Sequence, residues 1–177
     1  MIIDSKKAEE QAVLNLAYGV CAAMRTAPKT RGIDHLETAI LAGEDKEKLS
    51  AEMRRIGKSF GEAGNSFVRD AANVDASAVI VLVGTKYETR GLNERCCLCG
   101  FKGCTACSDA GAACVFTPLD LGIALGSAVS LVADNRVDSR IMFSIGKAAA
   151  SLGFLGEYKL IMGIPLSVSG KSPFFDR

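Results

Sequence analysis

Residues 77–84 read SAVIVLVG, a continuous run of β-branched and aliphatic side chains with no polar alternation. A strand of that kind is buried on both faces, so the run predicts an interior strand. Upstream, residues 44–63 space Leu49, Met53, Ile56 and Phe60 on one helical face. Glu44 and Asp45 stand where the positive end of that helix dipole would be. His35–Ala42 (HLETAILA) reads as a strand that turns at Gly43-Glu44-Asp45. Residues 6–26 carry Ala12, Leu16, Gly19 and Ala23 at helical spacing, and Ala27-Pro28 ends that helix. Downstream, Thr85–Arg95 is polar and leads into a cysteine-rich stretch. Pro118–Asp134 and Asp138–Gly153 read as helices, the second capped by Asp138-Ser139. Tyr158–Gly163 (YKLIMG) is a third strand, and the tail IPLSVSGKSPFFDR has neither period. The order is helix, strand, helix, strand, cysteine knot, two helices, strand. It predicts a mixed α/β (α+β) fold with an inserted metal knot, as one domain over residues 1–177. The strand pairing stays open.

Charge and hydropathy narrow the function classes. Against 21 Lys+Arg stand 20 Asp+Glu, so nothing in the balance supports a nucleic-acid partner. The start, MIIDSKKAEEQ, is charged at once and lacks the apolar core of a signal peptide. The longest apolar run, Leu121–Ala133, falls short of the ~20 residues that span a bilayer, so a buried helix and no membrane partner are expected. A cytoplasmic protein is the expectation. Apolar residues make up 49% of the chain, so part of its surface is expected to meet a partner.

Six of the seven cysteines fall within residues 96–114, in ERCCLCGFKGCTACSDAGAACVF (94–116). In a reducing compartment such a cluster reads as metal-binding or redox-active, not as a disulfide framework. The spacing is Cys96-x2-Cys99-x4-Cys104-x2-Cys107-x6-Cys114, with Cys97 extra. A C-x2-C pair presents two sulfurs to one centre from a tight turn, and Gly100, Gly103 and Gly111 permit such turns. Thiolates at spacings of two to four are an iron–sulfur pattern, with Lys102 placed to offset the charge. Structural zinc is the alternative metal, although its C-x2-C pairs usually stand about 15–20 residues apart. The plainest alternative is a set of buried core cysteines. Cys96, Cys99 and Cys104 form the expected ligand core, with Cys107 or Cys114 as the fourth. Cys97 is expected to point away, and Cys21 lies within a helical period and reads as core.

Four stretches carry a resemblance: MRTAPKTRGID (24–34), the cysteine knot, DLGIALGSAVSLVADNRVDSRIMFSIGKAA (120–149) and MGIPLSVSGKSPFFDR (162–177). Over nearly its whole length the chain resembles a family of uncharacterised prokaryotic proteins containing a ferredoxin domain. That family usually has Gly where Cys97 stands here, which supports leaving Cys97 out of the ligand set. The resemblance implies an iron–sulfur protein, with a 4Fe-4S-type motif. A second resemblance, to flavin-binding nitroreductases, rests on Ala27-Pro28-Lys29-Thr30, on Asp120, Gly122 and Ala124, and on Gly163-Ile164-Pro165. It implies a nitroreductase-like mixed sheet flanked by helices and FMN as a further cofactor. The early arginine pair of that family is absent. Arg25, Lys29 and Lys171 could take its place on the flavin phosphate, and each is otherwise a solvated surface charge. Gly122 and Gly126, four apart, suit close helix contact. With the nitroreductase resemblance they predict a homodimer.

Other motifs carry less. His35, the only histidine, opens a strand with no triad order around it and reads as structural. Gly170-Lys171-Ser172 lacks the rest of a phosphate loop, and Pro173 prevents a following helix. Glu44–Lys48 is a solvated helix face. Phe174-Phe175 should order the tail, with at least one ring packed on the body or on a second subunit, which would place Lys171 and Arg177 to face an anion. The function expected is electron transfer or a flavin-linked oxidoreductase reaction with a redox partner. The alternatives are a zinc-stapled interaction module without redox activity and a cluster used as a redox sensor. No catalytic residue is identified by the sequence.

Overall fold

A computed structural model describes residues 1–175 of the chain; the expectation for Arg177 lies outside them. Helix α1 (Ser5–Thr26) starts where the Asp4 carboxylate accepts from the Lys7 N–H at 3.0 Å, a cap worth ~1 kcal/mol. Strand β1 (Leu36–Leu41), helix α2 (Gly43–Ser59) and helix α3 (Asn65–Asp75) follow, then strand β2 (Val79–Thr85). Short helix α4 (Cys104–Asp109) lies in the cysteine segment. Helix α5 (Phe116–Asp134), strand β3 (Asp138–Ser139), helix α6 (Phe143–Ser151) and strand β4 (Leu160–Ser167) complete the chain.

The sheet order is β1-β2-β4-β3, and every pairing is antiparallel. Strand β2 is interior, and all seven of its residues are buried. Its side chains alternate between two cores. Val79, Val81 and Val83 meet α1 and α5 through Val20, Met24, Ala124 and Ala128. Ile80 and Leu82 meet α2, α3 and α6 through Met53, Phe67, Val74 and Ile145. Each such aliphatic side chain contributes ~1.5–3 kcal/mol on burial. The uniform run at 79–83 therefore comes from helices on both faces, although the sheet is antiparallel. Among the described residues, neither core contains one between Thr85 and Phe116.

Three segments differ from the sequence expectations. The second helix is present but ends at Ser59, and a helix the sequence reading did not assign, α3, folds back on it. The two backbones meet at Gly57 and Gly64, where a Cβ on Gly64 would lie 1.8 Å from the Gly57 carbonyl oxygen. Asp138 and Ser139 do not cap a helix. They pair with Ser167 and Leu166, and α6 begins only at Phe143. Strand β4 runs four residues beyond Gly163, through Pro165. Pro165 has no N–H to give, and the β3–β4 ladder lapses there. Pairing stops after Ser139↔Leu166 and resumes at Met142↔Gly163 in the same register. Helix α6 crosses β4 closely enough that a Cβ on Gly163 would sit 2.0 Å from Ile145 Cγ2.

Helix α5 is not wholly buried as its apolar run suggests. By length and composition it is one that could cross a membrane, yet 39% of its window is buried inside this fold. Its outer side leaves Leu119 and Ile123 exposed, with open space over Gly122 and Gly126. In the tail Phe174 is buried in the second core, while Phe175 is partly exposed with Arg140 over its ring.

Candidate metal centre

Strand β2 ends at Thr85, and the chain then leaves the sheet for thirty residues before α5 begins at Phe116. Buried polar bonds hold the root of this excursion. Arg90 Nε lies 3.1 Å from Asp120 Oδ2, and both residues are 2% exposed. The other Asp120 oxygen accepts from the Thr30 N–H (3.0 Å) and hydroxyl (2.8 Å). Arg90 Nη1 donates to the Glu88 carbonyl at 2.7 Å, and Arg31 Nη1 donates to the Arg90 carbonyl at 2.8 Å. The turn after α1, the start of α5 and the approach to the cysteines are thus tied at one point.

Beyond that root the chain turns through left-handed residues, with φ of +64° at Gly91, +50° at Asn93, +49° at Cys97 and +81° at Gly100. Side chains with a Cβ resist this conformation. Cys97 stands in a glycine-favouring position, and its exposed thiol is directed to the carbonyls of Asn93 (3.9 Å) and Glu94 (3.7 Å). Helix α4 sets Cys104 and Cys107 three apart, on one helical side. Cys104 Sγ accepts from the Asn93 N–H at 3.3 Å. That bond, helped by the Gly91 and Leu92 N–H groups, lowers its pKa and favours the thiolate that binds metal. Cys107 is wholly buried, and its thiol is directed to the Ala112 carbonyl at 3.6 Å. Burial first, then the neighbouring Cys99, Cys114 and Cys104 thiols, push its pKa up to about 11. Three thiols therefore stand within electrostatic reach of Cys107.

Cys96, Cys97, Cys99, Cys104 and Cys114 also line a common void, together with Arg90. The void measures about 10 Å³, room for one water at most. No three His, Cys, Asp or Glu side chains among the described residues are arranged to hold a single metal ion as they stand. The donor chemistry fits a thiolate-bound centre, and loading one requires thiol side chains to move. Cys96, Cys99 and Cys104 are partly exposed and have that freedom; Cys107 and Cys114 are packed.

Of the expected phosphate-binding cations, Arg25 and Lys29 stand together at the end of α1, both facing Asp34, while Lys171 stands elsewhere. Arg25 Nη1 donates to Asp34 (2.6 Å) and to the Leu36 carbonyl (2.8 Å); the Asp34 bond raises its pKa. Lys29 Nζ donates to the Met24 (2.7 Å) and Arg25 (2.5 Å) carbonyls at the end of α1, and burial lowers its pKa. Lys171 lines a separate cleft with Arg69 and Asn73 of α3. These three do not form one anion site within a single chain. His35 Nδ1 lies 3.1 Å from Glu88, a partner within the fold. A cavity of about 520 Å³ is lined by Lys6, Val79 and Ser167, beyond the opposite end of β2 from the cysteines. Arg90 was not singled out by the sequence: TKYETRGLNERCC gives an arginine before the knot no distinguishing spacing. Only the fold brings it to Asp120.

Comparison with known proteins adds a family and a fold. The family described as "Uncharacterized protein containing a ferredoxin domain (DUF2148)" matches residues 110–177. An uncharacterized protein of Archaeoglobus fulgidus is 39% identical over 186 residues, covering 100% of this chain and 98% of the relative. A nitroreductase with bound FMN from Desulfitobacterium hafniense aligns with TM-score 0.60 at 14% identity, over 89% of this chain and 78% of that one. A nitroreductase family protein from Clostridium novyi gives 0.55 at 12% identity, over 95% and 76%. The NADPH:FMN oxidoreductase of Vibrio harveyi, complexed with NAD+, gives 0.57 at 12% identity, over 92% of this chain and 63% of that one. At such identities the likeness is one of fold: the mixed α/β architecture is that of the nitroreductases.

Proposed function

This chain belongs to the family of uncharacterized proteins containing a ferredoxin domain, and from that premise we propose that it is an iron–sulfur protein of electron transfer, within a flavin-linked oxidoreductase. The observation that carries the reading is the association of Cys99, Cys104, Cys107 and Cys114, with Cys96 on the rim of the same void. The thiolates of Cys96, Cys99 and Cys104, with Cys107 or Cys114 as the fourth, would hold a 4Fe-4S cluster, which supplies one-electron chemistry when bound. The chain's own residues provide the setting. The Asn93 N–H hydrogen-bonds one ligand sulfur, Arg90 lines the site from within, and burial of Cys107 and Cys114 limits solvent on one side. Anaerobic purification with iron, sulfide and zinc analysis and an absorbance spectrum tests this. A brown protein with iron and sulfide is expected. A colourless protein holding zinc would establish the zinc-stapled reading instead.

FMN is the second cofactor in this reading, supported by a fold shared with flavoproteins. Since Arg25, Lys29 and Lys171 do not meet in one chain, the flavin would lie between two copies. A second copy also accounts for the open outer side of α5, where Leu119 and Ile123 are exposed beside Gly122 and Gly126. A light-scattering mass of twice 18.6 kDa is expected, with Ile123→Glu returning it to 18.6 kDa. A wild type at the single-chain mass would refute the dimer. A yellow chromophore that survives iron removal would mark the flavin.

A further inference from the structure

We propose that the buried Arg90–Asp120 pair sets the reduction potential of the thiolate-bound centre, with Arg90 as its positive pole at the thiols. The inference rests on the iron–sulfur reading above and concerns what governs that site.

Three observations carry it. Arg90 lines the void shared by Cys96, Cys97, Cys99, Cys104 and Cys114, whereas Asp120 does not line it. Both members of the pair are 2% exposed, so water and salt screen them weakly. The Asp120 carboxylate is locked on both oxygens, by Arg90 on one and Thr30 on the other. Structural stabilisation alone explains this poorly. A buried ion pair contributes little net stability over an apolar pair of similar volume. Its distinctive property is a fixed field, and guanidinium keeps its proton at every ordinary pH. Cluster potentials respond to local charge, hydrogen bonding and exposure. A positive pole nearer the thiolates than its counter-ion stabilises the added electron and raises the potential.

The test is a dithionite titration, followed by absorbance, of the reconstituted full-length protein and its variants. One electron passes from dithionite to the thiolate-bound cluster, and no bond in this chain forms or breaks. Asp120→Asn leaves Arg90 uncompensated and should raise the potential. Arg90→Met leaves the carboxylate alone and should lower it most. The double variant Arg90→Met/Asp120→Asn holds no unpaired buried charge, so it keeps the test open should either single variant fail to fold. It should fall below wild type but above Arg90→Met. Arg90→Lys should restore most of the potential while its melting temperature stays low. A merely structural pair would change melting temperature and iron content but leave the potential of every loaded variant at the wild-type value, and that result overturns the inference alone. A wild type that takes up no iron overturns both the inference and the reading beneath it.

Discussion

Asp120, one turn into α5, and Arg90, before the cysteines, share one sealed contact of 3.1 Å, and Thr30 closes the remaining Asp120 oxygen. Asp120→Ala strips partners from Thr30 and leaves a buried guanidinium unpaired. A loss of about 3–5 kcal/mol is expected. Urea unfolding followed by far-UV circular dichroism measures it, and a loss under ~1 kcal/mol would mean that water reaches the pair.

Of the neighbouring thiols, Cys99 acts most strongly on buried Cys107. Cys99→Ala should remove most of the bound iron. Cys21→Ala should leave iron content unchanged, since Cys21 packs partly buried against the α1–α5 core. Iron per folded chain, by elemental analysis, decides it; full retention in Cys99→Ala would refute the assignment. Applied to Cys107→Ala and Cys114→Ala, the same measurement identifies the fourth ligand: only one of them should abolish the site.

Gly163→Ala drives a methyl into Ile145 at the crossing of α6 and β4. The side chain behind it is wholly buried and has no free direction to yield. A destabilisation of ~3 kcal/mol is expected. The melting temperature checks it, and Gly126→Ala, with open space above it, serves as the control.

Glu52 joins α2 to α6 by accepting from Ser151 at 2.6 Å, and it is paired with Arg55 at 2.7 Å. Arg55 first, then Ser151, draws its pKa from 4.5 down to about 2. A lowered folded value means stability that is fully present above the ordinary carboxylate range and is lost as pH falls from about 4.5 towards 2. Because the Arg55 side chain is 65% exposed, screening holds the gain to ~1 kcal/mol. Glu52→Gln should be less stable than wild type at pH 6, with the gap narrowing at pH 3. A gap that stays constant would remove Glu52 from the acid response.

Much of this fold was legible because burial on two faces leaves a mark in sequence. SAVIVLVG could only be an interior strand, and the spacing of Leu49, Met53 and Ile56 could only be a one-sided helix. The errors have local causes. At Gly57–Gly64 two backbones touch without any apolar signature, so the end of α2 was set four residues late and α3 went unassigned. At Asp138-Ser139 the residues that commonly cap a helix instead pair with the end of β4. Pro165 disguised a strand because its missing N–H falls opposite the gap in the β3–β4 ladder. In the candidate site the cysteine cluster was plain from spacing; Cys97, expected to point away, has a left-handed backbone but lines the same void as the other thiols. Arg90 was invisible, since its partner lies thirty residues away and nothing but the tertiary fold joins them.

The two cores draw nothing from the segment between Thr85 and Phe116, and the root of that segment is fastened by ordinary side-chain bonds. Small zinc domains fold only as they bind their metal. On the iron–sulfur reading the opposite is expected here: both cores are complete without the cysteine loop, so stripping the centre should leave the sheet and its flanking helices folded.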